Sequence, residues 1–347
     1  MFASVPDILR LVVVPVLGWA AWRDVETRRV PSRTWLPLVA LGVVLLAWDA
    51  LGHLSFATSA DLLFFIRVGI SLFLVAPLSY LFWRLGGFGG ADAKALITIA
   101  ILLPTFPTYL FSGFTLPIVV TTLGVFSMTV LTNTVLLAVL YPLGIAVRNL
   151  LDGDFRFPVG FLGRRMDVAS LPTAHGRLYE TPDGFSRHGL DLDALRMYLR
   201  WRGASLSDLR ADPDTFRDPA SIDATYPATD GAVGDEGAGD GVSATTLDSA
   251  DVGDEVADGA GPSDSVEPIA ADPADEWGAA AFLDGIEGTA YGTSPEKLRG
   301  GLDIVAERDD VWVSPGIPFI VPMFAGTFVA FTYGDLVFGL LGAIGIV

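Results

Sequence analysis

The sequence predicts an all-α polytopic membrane protein: six transmembrane helices, with a large acidic, partly disordered cytoplasmic insert between the fifth and the sixth. Three observations carry that expectation. Apolar runs crowd residues 5–147 and 316–347 of a 347-residue chain that is 51% hydrophobic. Residues 148–315 are polar, glycine-rich and acidic instead. Lysine and arginine recur only in alternate connections between the apolar runs.

The expected spans are Val5–Trp22, Trp35–Gly52, Asp61–Trp83, Ala93–Tyr109, Thr115–Val147 and Pro315–Thr332. Most approach the roughly 20 residues that cross about 30 Å of hydrocarbon. The fifth is overlong and carries Pro142, which should kink it. Leu336–Val347 is too short to cross alone and is read as a tail that extends the last helix beyond Asp335.

The first connection carries Arg23, Arg28, Arg29 and Arg33, the third Arg84 and Lys94, and the segment after the fifth span Arg148, Arg156, Arg164 and Arg165. The second (Asp49–Ala60) and fourth (Pro104–Phe114) hold neither lysine nor arginine. The positive-inside rule then places the odd connections and the insert in the cytoplasm of a cell-membrane protein, with both termini outside. Basic residues follow the first run, Arg10 apart, so it reads as a retained helix and not a cleaved signal peptide.

The domains expected are 1–147, holding the first five helices; 148–210, cytoplasmic and partly helical; 211–314, acidic, of low complexity and mostly disordered; and 315–347, the last helix and its tail. Helical spacing of apolar residues between Leu190 and Leu209 supports the second of these. From Asp212 to Asp310 there are 25 acidic residues against 4 basic ones, an excess that accounts for the whole net charge of −18. Its central part, 211–275, is too poor in apolar residues to offset chain entropy. Arginine outnumbers lysine 20 to 2, and this acidic, lysine-poor composition resembles that of proteins from salt-loving archaea. Such a surface repels nucleic acid. With no cysteine, disulfides, thiolate metal sites and cysteine nucleophiles are excluded. His53, His175 and His188 lie too far apart to suggest a zinc site, and no cofactor is expected.

Two aspartates stand out. Asp24 closes the first apolar run, and Asp92 follows the turn Gly86-Gly87-Phe88-Gly89-Gly90-Ala91. Carboxylates this close to hydrocarbon are costly and are kept mainly for chemistry, ion passage or pairing. The expected topology puts both at the cytoplasmic edge. Two close carboxylates cannot readily both ionise, so one can draw a proton from water while its protonated partner donates to a scissile carbonyl. The glycines let a neighbouring backbone, or a second helix, approach closely. Each feature also has a plainer account: a flexible turn, a helix N-terminal carboxylate at Asp92, a one-turn ion pair of Asp24 with Arg28.

At these residues the chain resembles the archaeal prepilin (preflagellin, or archaellin) peptidases, a branch of the type IV prepilin peptidase family of membrane aspartic proteases. The family's first aspartate lies in D-x-x-x-R-x-[IV]-P; here Asp24, Arg28 or Arg29, Val30 and Pro31 fit, with Ser32 following. Its second lies in G-x-G-D, with a lysine two residues on; Gly89-Gly90-Ala91-Asp92-Ala93-Lys94 matches with alanine in place of the last glycine. Val313–Phe319 looks like the proline-rich start of the family's last helix. The resemblance implies Asp24 and Asp92 as catalytic residues, with Gly89, Gly90, Lys94 and Arg28 supporting them or the substrate. It implies cleavage of the short basic leader from pilin and archaellin precursors at the cytoplasmic membrane boundary. Bacterial relatives also methylate the new N-terminus, using a cysteine-bearing domain between their first helices; the short, cysteine-free connection here predicts none of that activity.

Three rivals are weaker. Presenilin-type proteases carry a tyrosine before the first aspartate and a Pro-Ala-Leu motif, and both are missing here. A proton- or cation-coupled transporter using the same two aspartates would place them at the midplane in broken helices, among internal repeats; these lie at the edge, and no repeat is evident. A scaffold that recruits partners through its acidic insert would leave the aspartates without a use. Elsewhere, Arg67 is expected to snorkel to the outer interface, Asn133 to bond between helices, and Asp335 to mark the outer interface.

Overall fold

The computed structural model describes residues 2–87, 89–233, 272–286, 290–316 and 318–346. The chain divides into two compact units, one comprising 1–144 and 317–347 and the other 145–316.

The first unit opens with α1 (Val5–Arg10) and α2 (Val13–Thr27), followed by α3 (Trp35–His53). A capping box of Thr58 and Asp61 then starts α4 (Ser59–Ile70). One π-helical turn, Ser71–Val75, joins α4 to α5 (Ala76–Arg84). The buried Ser71 hydroxyl donates to the Ala100 carbonyl at 2.6 Å and lies 2.7 Å from the Ser127 hydroxyl, so this polar group inside an apolar bundle is satisfied. Next comes α6 (Gly90–Leu102).

Helix α6 has only 13 residues, and the fourth span expected over Ala93–Tyr109 is not a helix of that length. Pro104 and Pro107 cannot donate to a helical ladder, and the backbone finds partners in a hairpin, β1 (Tyr109–Phe111) against β2 (Phe114–Leu116). The fifth span is correspondingly displaced: helix begins at Phe126 instead of Thr115, as α7 (Phe126–Ala138) and α8 (Leu140–Leu151). The break at Val139 is the interruption expected from Pro142, which has no N–H to give the Ala138 carbonyl. The chain returns to this unit as α14 (Ile320–Thr332) and α15 (Leu336–Ala343). The tail is therefore a separate helix after the turn at Gly334, not an extension of α14.

Among the described residues, four helical stretches are long and apolar enough to cross a bilayer: Val5–Thr27, Ser32–His53, Ser59–Arg84 and Phe126–Leu151. The fourth and sixth expected spans are 13-residue helices, too short for that criterion. The architecture is that of a mostly helical, multi-pass membrane protein.

Small residues bring its helices together. At Gly326 in α14 a Cβ would lie 2.7 Å from the Thr134 backbone nitrogen of α7, and at Gly42 in α3 one would lie 3.1 Å from the Leu102 backbone of α6. Backbones meet this closely in lipid only where side chains are small. Buried Asn133 does bond between elements, donating to the Gly334 carbonyl at 2.8 Å and accepting from the Leu336 N–H at 3.0 Å. Asp335 is buried, accepting from the Thr129 hydroxyl at 2.8 Å and capping α15 by accepting from the Phe338 N–H at 3.0 Å. The half-buried Arg67 donates to the Leu123 carbonyl at 2.8 Å.

The second unit folds around one core built from both its ends. A three-stranded antiparallel sheet sets β7 (Asp310–Ser314) between β3 (Arg164–Asp167) and β4 (Arg177–Leu178), beside a hairpin of β5 (Glu180–Thr181) and β6 (Gly184–Phe185). Helices α9 (Leu192–Arg202), α10 (Leu206–Ala211) and α11 (Pro213–Arg217) precede the acidic stretch; α12 (Ala279–Gly285) and α13 (Pro295–Glu307) follow it. Helical spacing at 190–209 thus resolves into two helices, because Gly203 ends α9 in a left-handed conformation, φ 65°. Tyr198, Leu195, Trp277, Phe282, Leu302 and Val305 are all buried in the one core. Residues 272–286 and 290–314 therefore differ from the mostly disordered insert expected over 211–314: their sparse apolar residues gain partners from 164–209, which local composition does not reveal. Residues 211–233 depart from it too, holding α11 and a 3-10 turn at Pro219–Ser221 and packing Phe216, Ile222 and Ala228 against the same core; 234–271 and 287–289 lie outside the described residues.

Candidate active site

Asp24 sits in the last turn of α2 and is 8% exposed. The helix ends just beyond it because Arg28 adopts a left-handed conformation, φ 56°, with its N–H donating to the Asp24 carbonyl at 3.0 Å. A non-glycine residue there costs about 1 kcal/mol or more. Thr27 reinforces the turn by accepting from the Arg29 N–H and donating to the Arg23 carbonyl. Pro31 and a short 3-10 turn at Ser32–Thr34 then redirect the chain into α3.

Asp92, 9% exposed, is the third residue of α6. The Gly89 N–H donates to its Oδ2 at 2.9 Å, an N-terminal cap that fixes the rotamer. A Cβ at Gly89 would lie 2.9 Å from that same oxygen, so glycine here leaves room for the carboxylate. Gly90 faces the Trp83 indole, 3.5 Å from where a Cβ would be.

The two aspartates come within electrostatic range of one another, and Arg28 acts on both. The backbone N–H of Ile320, at the start of α14, interacts with the Asp24 carboxylate. The buried Asp24 Oδ2 has no hydrogen-bond partner among the described residues. An unpartnered carboxylate oxygen in so enclosed a place is costly and calls for water or a ligand group. Lys94 points elsewhere: its Nζ donates to the Ser32 hydroxyl at 2.6 Å. Of the six residues singled out in the sequence, Asp24, Asp92, Arg28 and Gly89 thus share one locality. Lys94 bridges to the first motif segment, and Gly90 packs on Trp83.

The Ile320 amide was not legible beforehand. The Pro-Gly-Ile-Pro run marks a helix start, but no local spacing pairs it with a residue almost three hundred positions earlier. A second buried cluster leaves little trace in the sequence. Buried Arg10 donates to Asp49 Oδ2, to Asp7 Oδ1 at 3.1 Å and to the Leu102 carbonyl at 3.0 Å, binding α1 and α3 to the C-terminal end of α6. The i,i+3 spacing of Asp7 and Arg10 was its only sequence signal.

Residues 11–143, which include both aspartates, match the model of the Type IV leader peptidase family, and residues 292–336, which include Ile320, match that of the Archaeal Peptidase A24 C-terminus Type II. Over these two segments the chain is similar to the type IV leader peptidase family. It is also similar to a protein named Prepilin peptidase EppA from Methanothermobacter thermautotrophicus, at 30% identity over 121 residues that cover 34% of this chain and 29% of that protein. The chain therefore matches less than a third of that relative's length. The two matched segments divide the leader peptidase architecture around the second unit, most of which lies between them.

Proposed function

We propose that this protein is a membrane aspartic endopeptidase that removes the short basic leader from type IV pilin-like and archaellin precursors, at the cytoplasmic membrane boundary and without N-methylation. The observation that carries the reading is that two buried carboxylates, from α2 and α6, lie within electrostatic range of one another, one of them with an unpartnered oxygen. A water held between Asp24 and Asp92 gives its proton to the ionised carboxylate as its oxygen attacks the scissile carbonyl. The protonated carboxyl hydrogen-bonds the carbonyl oxygen as charge develops there, and collapse of the tetrahedral species delivers a proton to the leaving amine. Arg28, acting on both side chains, favours the single negative charge the pair must carry. The printed name of the relative supports a prepilin as substrate class, the arginine-rich odd connections support a cytoplasmic site, and the short, cysteine-free first connection supports the absence of methylation.

The test is incubation of the full-length protein, in bilayers at high salt, with a leader-bearing pilin precursor. Leader loss with wild type and its retention with Asp24→Asn and with Asp92→Asn is the expected result; general acid–base roles of this kind are worth about 10²–10⁴-fold. Cleavage by either variant at the wild-type rate would defeat the proposal. Mass analysis of the new N-terminus after adding a methyl donor checks the methylation statement.

A further inference from the structure

One feature of the second unit has no part in that chemistry. The last turns of α8 and the loop after them carry an exposed apolar patch on a rigid mount. Leu151 is 81% and Phe157 82% exposed, and Phe155 joins them at the surface. The mount is built around buried Asn149, whose side-chain amide donates to the Gly160 and Gly163 carbonyls, both at 2.8 Å, while its own carbonyl accepts from the Asp154 N–H at 2.9 Å. Phe155 and Phe157 each pack edge-on against Phe161, with ring centroids 5.4 and 6.3 Å apart. The loop is thus folded back on the helix end, and the phenylalanines emerge from a fixed platform.

What covers this patch follows from its continuity with the span. Leu140, Leu143, Val147 and Leu150 form an exposed stripe at helical spacing along α8, and α8 ends the apolar stretch Phe126–Leu151. That stripe faces lipid, and the patch continues it. At about 1.5 Å per residue the stretch is roughly 39 Å long, beyond the roughly 30 Å of hydrocarbon, so its last turns reach the headgroups. Charge agrees: Arg148, Arg156, Arg164 and Arg165 stand against only Asp152 and Asp154 between residues 145 and 165, in a chain of net charge −18. Arg165 is held between Asp154 at 3.5 Å and Asp310 at 3.2 Å, whereas the Arg148–Asp152 pair is long, 3.7 Å, and solvent-exposed, which leaves guanidinium donors on Arg148 for phosphate.

We propose that the end of α8 and the loop Phe155–Phe161 form an interfacial wedge, which seats Leu151 and Phe157 at the headgroup–acyl boundary of an anionic bilayer leaflet while Arg148 and Arg156 pair with lipid phosphates. Aromatic side chains favour that depth, and juxtamembrane arginines favour anionic lipid. This function is independent of the two aspartates.

The chain lacks cysteine, so a nitroxide on Phe157→Cys is a clean probe, with Ser207→Cys, an exposed position of the same unit, as reference. Full-length protein is placed in nanodiscs of phosphatidylcholine, alone or with phosphatidylglycerol, and collisions with oxygen and with a water-soluble nickel chelate are compared. The expected result is oxygen dominating at position 157 and the chelate at 207. Phosphatidylglycerol should deepen position 157, and Arg148→Gln/Arg156→Gln should abolish that dependence on lipid charge. Chelate access at 157 equal to that at 207 in both lipids overturns the wedge. Shielding from both agents, with spin–spin broadening that unlabelled protein relieves, assigns the patch to a second copy and overturns it too. A depth indifferent to phosphatidylglycerol overturns the role of the arginines.

Discussion

Lys94 reaches across the bundle to Ser32, its Nζ donating to the serine hydroxyl at 2.6 Å. The contact joins the two segments that carry the aspartates: Ser32 lies eight residues beyond Asp24 and Lys94 two beyond Asp92. It fixes the turn after α2 against the first turn of α6, and with it the position of Arg28, which acts on both carboxylates. The bond is exposed and makes a small contribution to stability; its value lies in geometry.

Removing it should therefore cost activity before it costs fold. Ser32→Ala and Lys94→Met are each expected to slow precursor cleavage with little change in thermal stability. The double variant should be hardly worse than either single one, giving a coupling of roughly 0.5–1 kcal/mol in a double-mutant cycle on cleavage rates. Strict additivity would mean that the contact plays no part.

Gly89→Ala places a methyl group where the Asp92 carboxylate now lies, 2.9 Å from Oδ2. The side chain must swing away and its cap weakens. Cleavage is expected to fall about tenfold or more, because displacements near 1 Å can cost about 10²-fold. The melting temperature should hardly move, since the backbone at Gly89, φ −68°, suits alanine. A fully active variant would show that Asp92 need not hold this rotamer.

Arg10→Gln strands two carboxylates, Asp7 and Asp49, around a buried position and frees the Leu102 carbonyl. Breaking a buried ion cluster from one side costs on the order of 3–5 kcal/mol. Adding Asp49→Asn should recover part of that loss, because one uncompensated charge then disappears. Unfolding in detergent, followed by tryptophan fluorescence, measures both changes; equal stability of wild type and Arg10→Gln would contradict the clamp.

Gly326→Leu should prevent α14 from packing on α7, since even a Cβ at that position meets the Thr134 backbone at 2.7 Å. Overpacking a core typically costs about 1–3 kcal/mol, and a backbone obstacle has less freedom to yield than a side chain. The expected outcome is poor accumulation of folded protein and loss of cleavage, because α14 also brings the Ile320 amide to Asp24. Gly326→Ala should be milder. Size-exclusion profiles in detergent distinguish the two.

Much of the site was legible because its parts are local. The end of α2 follows from Pro31 and the break in apolar character, and the start of α6 from glycines followed by an acid at the third helical position, which is a capping pattern. Arg28 and Asp24 are four apart and meet through one helical turn. The bundle was legible only in part. Hydropathy reports apolar runs but not their shape, so Ala93–Tyr109 looked like a span although Pro104 and Pro107 end the helix early, and Thr115–Val147 looked like one helix although its first residues are extended. The second unit was the least legible: Trp277, Phe282 and Leu302 stand isolated in an acidic stretch of sequence, and only their packing in one core with Tyr198 and Leu195 shows that they are core.

By itself, then, the chain's order of residues determined which segments are apolar, where helices begin and stop around Asp24 and Asp92, and which side chains are suited to acid–base work, because all of these depend on neighbours within a turn or two. Tertiary structure alone decided that α2 and α6 bring their acids within electrostatic range, that the first amide of α14 turns to Asp24, and that Arg10 ties α6 from its far end. Those contacts join residues tens to hundreds of positions apart. They arise from close backbone approach at glycines and from satisfying buried polar groups, and neither leaves a periodic trace in sequence.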